Sequence, residues 1–322
     1  MTNQEKTKSK NFTVPGIRSM KGRQAISVLT AYDYPSAKLI DQAGIHMILV
    51  GDSLGNVLYG YKNTLPVKTE DVVRHTSAVS RAVKRSLVVA DMPFLSYHES
   101  SAQAVRNAGR LVQEGGAGAV KCEGGRSFRK IIKKIVRAGI PVMGHIGLTP
   151  QRIHEMGSYK KHGERQKEKK RLLKDAQALE EAGCFALVLE CIEESLAREI
   201  SEKLKIPSIG IGSGQACDGQ VLVLHDLLGL SPEPSPKFVR PTRALHKEIT
   251  RGVQEYIQRT QSEWIQHYFL RKPSVQKPPV KPPVKPTSRP TFEPGPPKAR
   301  KILDPDKDHS TSKPSRSSKS PE

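Results

Sequence analysis

The chain has 322 residues, with 53 Lys and Arg against 32 Asp and Glu, a formal charge of +21 and a mean hydropathy of −0.50. It has no apolar stretch of about 18 residues, which argues against a membrane span. Such a charge ordinarily suggests a nucleic-acid partner, but residues 271–322 hold 13 Lys and Arg against 5 Asp and Glu, so +8 of it sits in one terminal segment and that partner is not expected.

Residues 1–24 are polar and read as an arm. Their lysines precede no apolar core of a secretory signal, and Glu5 speaks against a transit peptide, so cytoplasm is the default location. A first strand is expected in Ala25–Pro35, followed by a short amphipathic helix over Ser36–Ala43 that stops at Gly44. The second strand is HMILVGD, ending at Asp52, and Thr69 is the expected cap of the next helix, with Glu70 and Asp71 suiting the helix dipole. The alternation then repeats: SLVVADMPF before a helix over Ser100–Glu114, AGAVKCEGG before Ser127–Ala138, IPVMGHIGL before Leu172–Ala182, and CFALVLEC before Glu193–Leu204. IPSIGIGSG and VLVLHDLLGL complete eight strand-like runs.

Short apolar runs separated by helical patterns indicate parallel strands buried on both faces. No GxGxxG follows the first strand, and eight units suit closure, so the expected fold is an α/β (β/α)8 barrel over residues 25–270. Cys122, Cys184, Cys191 and Cys217 form no CxxC pair and read as small core residues of a reduced, intracellular protein. Two segments break the pattern. Gly157–Arg171 is a long hydrophilic connection, either a lid or a solvated charge run. Residues 271–322, with KPPVKPPVKP, read as a disordered, Pro- and Lys-rich tail that builds no core.

Four apolar runs stop abruptly at charged or hydroxyl residues: Asp52 and Ser53, Asp91, Lys121 with Glu123, and Glu190. In a barrel these strand ends converge on one mouth, where such folds do chemistry. Asp52, Asp91 and Glu123 are hard oxygen ligands with no Cys or His cluster beside them, a set that suits Mg²⁺. Any one of them alone would more often be a helix cap or half of a salt bridge; three at the same strand end change that balance. Lys121, two residues before Glu123, shares its strand face and could pair a substrate carboxylate, form a Schiff base or merely neutralise the acids. Glu190 ends an otherwise apolar strand, where partial desolvation raises a carboxylate's proton affinity toward that of a general base; a structural ion pair is the plainer role. His145 is a weaker candidate, since a barrel histidine often only bonds within the core. The GIGSG glycines, Gly210–Gly214, are a weak phosphate-loop signal without a following lysine.

The segments TAYDYPSAKL, VGDSLGNVLYG, TLPV, ADMPF, VKCEGG, GHIGLTPQ, LVLEC and IGIGSGQACDGQVLVLHDLLGL, in this order, resemble the ketopantoate hydroxymethyltransferase family over roughly Phe12–Arg259. The resemblance implies transfer of a hydroxymethyl group from 5,10-methylenetetrahydrofolate to 3-methyl-2-oxobutanoate, giving 2-dehydropantoate with Mg²⁺ as cofactor. It implies that Asp52 and Ser53 bind the 2-oxo acid, that Asp91 and Lys121 make further substrate contacts, that Asp52, Asp91 and Glu123 surround the metal, and that Glu190 is the catalytic base. Lys121 would then neutralise the substrate carboxylate. A homo-oligomer is expected by the same route. Tyr61 departs from the family pattern, where His follows Gly60, and the run after Tyr159-Lys160 is unusually basic, as suits a polyglutamyl folate tail. Two other readings stand beside this one: a magnesium-dependent 2-oxo-acid barrel of the isocitrate lyase or phosphoenolpyruvate mutase kind, and a degenerate barrel that binds partners through its basic tail.

Overall fold

The computed structural model describes residues 11–271 except 159 and 232–234. The start of the expected arm, Tyr159 and the Pro- and Lys-rich tail from residue 272 onward lie outside the described residues. The chain divides into two units, Met1–Glu255 and Tyr256–Glu322, with the boundary inside the helix Leu245–Arg271. In the second unit Trp264 and Tyr268 stack along this helix, their ring centroids 4.9 Å apart.

The first unit is a closed barrel of eight parallel strands in sequence order. They are β1 (Ile26–Thr30), β2 (Met47–Val50), β3 (Leu87–Asp91), β4 (Ala119–Glu123), β5 (Val142–Gly147), β6 (Ala186–Glu190), β7 (Ser208–Ile211) and β8 (Gly219–Leu222). Closure runs through β1 and β8, with Ile26 opposite Gly219 and Val28 opposite Val221. Helices cover the outside. Alternation along each strand therefore sorts its side chains into two buried layers. Val28, Met47, Val89, Met143, Val188 and Ile209 belong to one apolar cluster, while Ile48, Val88, Val120 and Leu187 belong to another that includes residues of the covering helices. Both faces of β2, β3, β4 and β5 are buried, so those runs read as continuous, whereas β1 exposes Ser27 and β8 alternates buried with half-buried residues.

The segment read as a polar arm carries a short helix, Val14–Ser19, capped by the Thr13 hydroxyl accepting from Gly16 N–H, with Pro15 in its first turn. Ile17 is fully buried and joins the cluster that contains Val28 and Met47, with Val14 packed against it. The helix after β1 spans Tyr34–Gln42, earlier than expected, because Asp33 caps it by accepting from Ser36 N–H at 2.8 Å. After β2 and a one-turn helix, Leu54–Val57, the long helix Thr69–Ala82 begins at Thr69 itself, so Thr69 is not the cap; Asp71 reaches back to accept from Lys68 N–H at 2.9 Å.

Two larger differences have clear causes. The hydrophilic connection is shorter than expected, since residues from Gln166 belong to the helix Gln166–Glu181. Its Lys, Glu, Gln and Arg are good helix formers uninterrupted by Gly or Pro, and Leu172, Ala176 and Leu179 give it one buried stripe. The helix then ends before Gly183, whose φ of +99° only glycine adopts without strain. The eighth strand lies earlier than VLVLHDLLGL suggests: it ends at Leu222, and Leu224–Leu228 is a helix turn whose first N–H is taken up by the Thr30 hydroxyl. An apolar run of that length does not by itself distinguish strand from helix.

All four cysteines are free; Cys122 and Cys184 are buried as expected of core residues, whereas Cys191 and Cys217 are only partly buried. Among the described residues no helix is long and apolar enough to cross a membrane. One carboxylate is purely structural. Asp41, 4% exposed, accepts from the backbone N–H of Lys84, Arg85 and Ser86 and from the Ser86 hydroxyl, fastening its helix to the entry of β3. Burial alone would raise its pKa, but these donors outweigh burial and hold it below the ordinary aspartate value. Asp41→Ala strands those donors and is expected to cost about 2–3 kcal/mol in urea denaturation at neutral pH. Because the folded pKa is depressed, the gap between wild type and variant should be full above about pH 4 and should shrink as pH falls further.

Candidate active site

Strand register assembles the site. Asp91 at the end of β3 lies opposite Lys121 on β4, and Glu123, two residues on, lies opposite His145 on β5. Two residues further along β5, Gly147 lies opposite Glu190 on β6. Paired residues and their i+2 neighbours share a face, so Asp91, Lys121, Glu123, His145 and Glu190 all point to the barrel interior at its C-terminal end. Asp52 and Ser53 come from the turn after β2, and Gly51 leaves room for them: a Cβ there would lie 2.8 Å from Ser53 Oγ and 3.3 Å from Asp91 Oδ2.

A cavity of about 1060 Å³ opens at this mouth, and all six expected site residues line it: Asp52, Ser53, Asp91, Lys121, Glu123 and Glu190. Lys121 Nζ lies 2.6 Å from Asp91 Oδ1 and 4.0 Å from Glu123 Oε1. Burial opposes the lysine charge, but Asp91, Glu123 and Asp52 outweigh it and hold the ammonium above the ordinary lysine range. That favours the neutralising role over the Schiff base, which needs the free amine. His145 bridges two acids, with Nδ1 at 3.3 Å from Glu123 Oε1 and Nε2 at 3.1 Å from Glu190 Oε2; the second is a charge contact without hydrogen-bond alignment. Burial and Lys121 disfavour its protonation, yet the two carboxylates win and push it up to about 9. The same pairing holds Glu123 below the usual carboxylate range against the effect of burial.

The charges do not balance. Asp52, Asp91 and Glu123 face only two cations, and the deficit falls on Asp52, which has no cation in contact. Burial, then Asp91, then Glu123 push it up to about 8. Its contacts are neutral: Asp52 N–H donates to Asp91 Oδ2 at 3.0 Å, and Gln151 Nε2 donates to Asp52 Oδ2 at 2.9 Å. Among the described residues no three His, Cys, Asp or Glu side chains converge as a finished metal cage. Mg²⁺ needs none, because it binds through one or two carboxylates and keeps other positions for water and substrate oxygens. Three converging carboxylates fit that ion: Asp52 has no cation in contact, Asp91 faces Lys121 and the Asp52 N–H, and Glu123 faces His145 and the Gln151 N–H.

Glu190 retains 18% of its side-chain surface at the cavity wall, so a substrate can reach it. Its backbone is pinned by Leu148 N–H donating to Glu190 O at 2.8 Å. Gly147, beside it, has φ +100°, and a Cβ there would lie 2.2 Å from Glu190 O, so only glycine permits this approach. The next residue, Cys191, sits at φ +50°, a strained conformation for a non-glycine that turns the chain out of β6 immediately after the acid.

Several supporting groups escaped the reading of the sequence. Buried Gln151 links Asp52, Glu123 and the Met92 carbonyl. Tyr97 Oη accepts from Glu123 N–H and lies 3.0 Å from Glu123 O and 3.1 Å from Gln151 Oε1. Tyr32 Oη is 2.8 Å from Ser53 Oγ. Gln151 closes the GHIGLTPQ segment, which was the only available signal for it. The GIGSG run has a structural role: Ser213 Oγ donates to Leu189 O and accepts from Ile192 N–H, latching β6 to β7. Tyr61 is harmless to its loop, which is closed by Tyr61 N–H to Gly55 O and Asn56 Nδ2 to Tyr61 O, both independent of the residue 61 side chain.

Known proteins share this sequence and architecture. The model of a family described as ketopantoate hydroxymethyltransferase matches residues 11–264. The 3-methyl-2-oxobutanoate hydroxymethyltransferase of Thermoanaerobacter sp. (strain X514) is 54% identical over 241 residues, 75% of this chain and 88% of that protein. That of Carboxydothermus hydrogenoformans is 49% identical over 267 residues, covering 82% and 97%. Among solved structures, phosphonopyruvate hydrolase in complex with oxalate and Mg²⁺ aligns with a TM-score of 0.53 at 13% identity, over 83% of this chain and 92% of that one. For 2,3-dimethylmalate lyase, a member of the phosphoenolpyruvate mutase and isocitrate lyase superfamily, the values are 0.51, 14%, 83% and 91%. At that identity the likeness is one of fold.

Proposed function

The chain belongs to the ketopantoate hydroxymethyltransferase family, and from that premise we infer that its barrel mouth transfers a hydroxymethyl group from 5,10-methylenetetrahydrofolate to 3-methyl-2-oxobutanoate, giving 2-dehydropantoate. The observation that carries the residue roles is the line of inward groups from Asp91 through Lys121, Glu123 and His145 to Glu190, set by strand register around one cavity. The phosphoenolpyruvate mutase and isocitrate lyase alternative shares the fold, whereas the relatives near 50% identity carry the hydroxymethyltransferase name.

Asp52, Asp91 and Glu123 would hold Mg²⁺, which when bound withdraws electrons from the 2-oxo group and so acidifies the C3–H bond. Lys121 faces the substrate carboxylate with a charge its three acids keep in place, and Ser53, braced by Tyr32, bonds the 2-oxo acid beside it. Glu190 takes the C3 proton. His145 sits between Glu123 and Glu190, with Nε2 3.1 Å from Glu190 Oε2, and supplies charge beside the base rather than an aligned hydrogen bond. The two carboxylates push its pKa up to about 9, which favours the protonated form beside the base. Water hydrolyses both carbon–nitrogen bonds of the donor, which releases tetrahydrofolate with its nitrogen protonated by the water and leaves the one-carbon unit as formaldehyde; the freed C3 electron pair forms the C–C bond to that carbon as its C=O electrons move to oxygen, and the proton held by Glu190 passes to the new alkoxide. The dependence of turnover on the folate donor is the test. Purified protein with 3-methyl-2-oxobutanoate and Mg²⁺ should form 2-dehydropantoate only when 5,10-methylenetetrahydrofolate is added. Lysis or rearrangement of a 2-oxo acid without folate would instead favour the superfamily alternative.

A further inference from the structure

A second cavity of about 630 Å³ lies in the basic region after β5 and has no place in the chemistry above. Lys167, Lys170, Arg171 and Lys174 line it from the helix Gln166–Glu181. Their spacing of three, four and seven residues puts all four on one helix face. Arg126, from the turn after β4, and Lys160, Lys161 and Arg165, from the connection, complete its cationic lining. Only two acids share it. One of them, Glu168, is already committed to His162 Nδ1 at 2.8 Å and Gly163 N–H at 2.9 Å. So many like charges in one concavity repel one another, and an anionic ligand relieves that repulsion.

Two observations select the ligand. Lys160 and Lys161 line both this cleft and the catalytic cavity, so the two spaces adjoin at these residues. Along the helix, steps of three and four residues set the cations about 4.5–6 Å apart. An extended γ-linked glutamate repeat, five backbone bonds long, advances roughly 6 Å and carries one free carboxylate. Among the described residues no aromatic side chain lines the cleft, whereas a single-stranded nucleic acid calls for stacking platforms. We propose that this cleft binds the oligo-γ-glutamyl tail of the folate co-substrate, so that the enzyme selects polyglutamylated over monoglutamyl donor. This rests on the folate-dependent reaction inferred above.

The geometry also supplies a control. Lys169 lies in the same basic run but does not line the cleft. The combined Lys167→Gln, Lys170→Gln, Lys174→Gln variant and Lys169→Gln alone are compared using mono- and triglutamyl 5,10-methylenetetrahydrofolate at low salt. Wild type should show a lower KM for the triglutamyl donor. The triple variant should lose that advantage, with KM for the triglutamyl donor rising about tenfold, while kcat and the monoglutamyl KM stay level and Lys169→Gln behaves as wild type. Isothermal titration with tri-γ-glutamate alone should show binding to wild type that is weakened in the triple variant. Equal KM for both donors in wild type overturns the cleft assignment and leaves the reaction standing. An equal effect of the triple variant on both donors overturns it too, as does an oligonucleotide of matched charge that binds as tightly as tri-γ-glutamate. Absence of folate-dependent turnover in wild type instead refutes the reaction.

Discussion

Glu190→Gln is expected to stop exchange of the C3 proton of 3-methyl-2-oxobutanoate into D₂O and to lower kcat by about 10³, the middle of the range for a lost general base. The substitution keeps the shape of the side chain and removes only its basicity. No neighbour can take over. His145 at 3.1 Å is pushed up to about 9 and already carries its proton, Lys121 is held as an ammonium, and Asp52 and Asp91 sit where the metal and substrate oxygens are expected. Exchange should require Mg²⁺ in the wild type, since the carbonyl must be polarised before C3–H is acidic enough. The substrate KM should change little, because Glu190 touches the reacting hydrogen and not the carboxylate. Persistent metal-dependent exchange in the variant would reassign the base. A thermal melt guards against a trivial cause, and it should stay close to wild type because Glu190 is partly exposed and makes no aligned side-chain hydrogen bond.

Lys121→Met is expected to act on two readouts at once. The lysine is 4% exposed and offsets three buried carboxylates, so its removal leaves charge without a partner and should cost about 3–5 kcal/mol of stability. The pH dependence identifies the cause. Without Lys121, the folded-state pKa values of Asp91 and Glu123 rise, so the folded state binds protons that the unfolded chain releases. Stability then falls as pH rises, and the deficit against wild type should be larger at about pH 8 than at about pH 5. In kinetics, the KM for 3-methyl-2-oxobutanoate should rise about 100-fold for loss of a charge-assisted contact to its carboxylate. A deficit independent of pH, together with an unchanged KM, would show that Lys121 merely fills space.

The parts of this molecule visible in the sequence were those set by local pattern. Seven strands and the positions of Asp52, Asp91, Lys121, Glu123 and Glu190 follow from apolar runs that end in charge, because a parallel barrel buries both strand faces and gathers the C-terminal ends at one mouth. What escaped depends on contacts between distant residues. His145 was undervalued because its significance lies in register, opposite Glu123 and one strand from Glu190. Gln151 and Tyr97 form a buried network across three connections, and polar residues after a strand carry no mark of such a role. The basic run misled in a different way: its charges suggested a loop, yet the same side chains are strong helix formers, and only the helix reveals that Lys169 faces away from its neighbours' cleft.

The seam between β1 and β8 has a consequence in time. Ile26 pairs with Gly219, and Lys21 bonds Asp218 at 2.7 Å, so the first structured residues meet their partners almost two hundred positions later. During synthesis at about 5–20 residues per second, β1 stands with one open edge for roughly ten seconds or more before its neighbour leaves the ribosome. Until then the nascent chain is an open, strongly curved sheet with two sticky rims. The barrel therefore closes only once about two-thirds of the chain has been made, and a truncation before Leu222 is expected to leave an open sheet prone to aggregate.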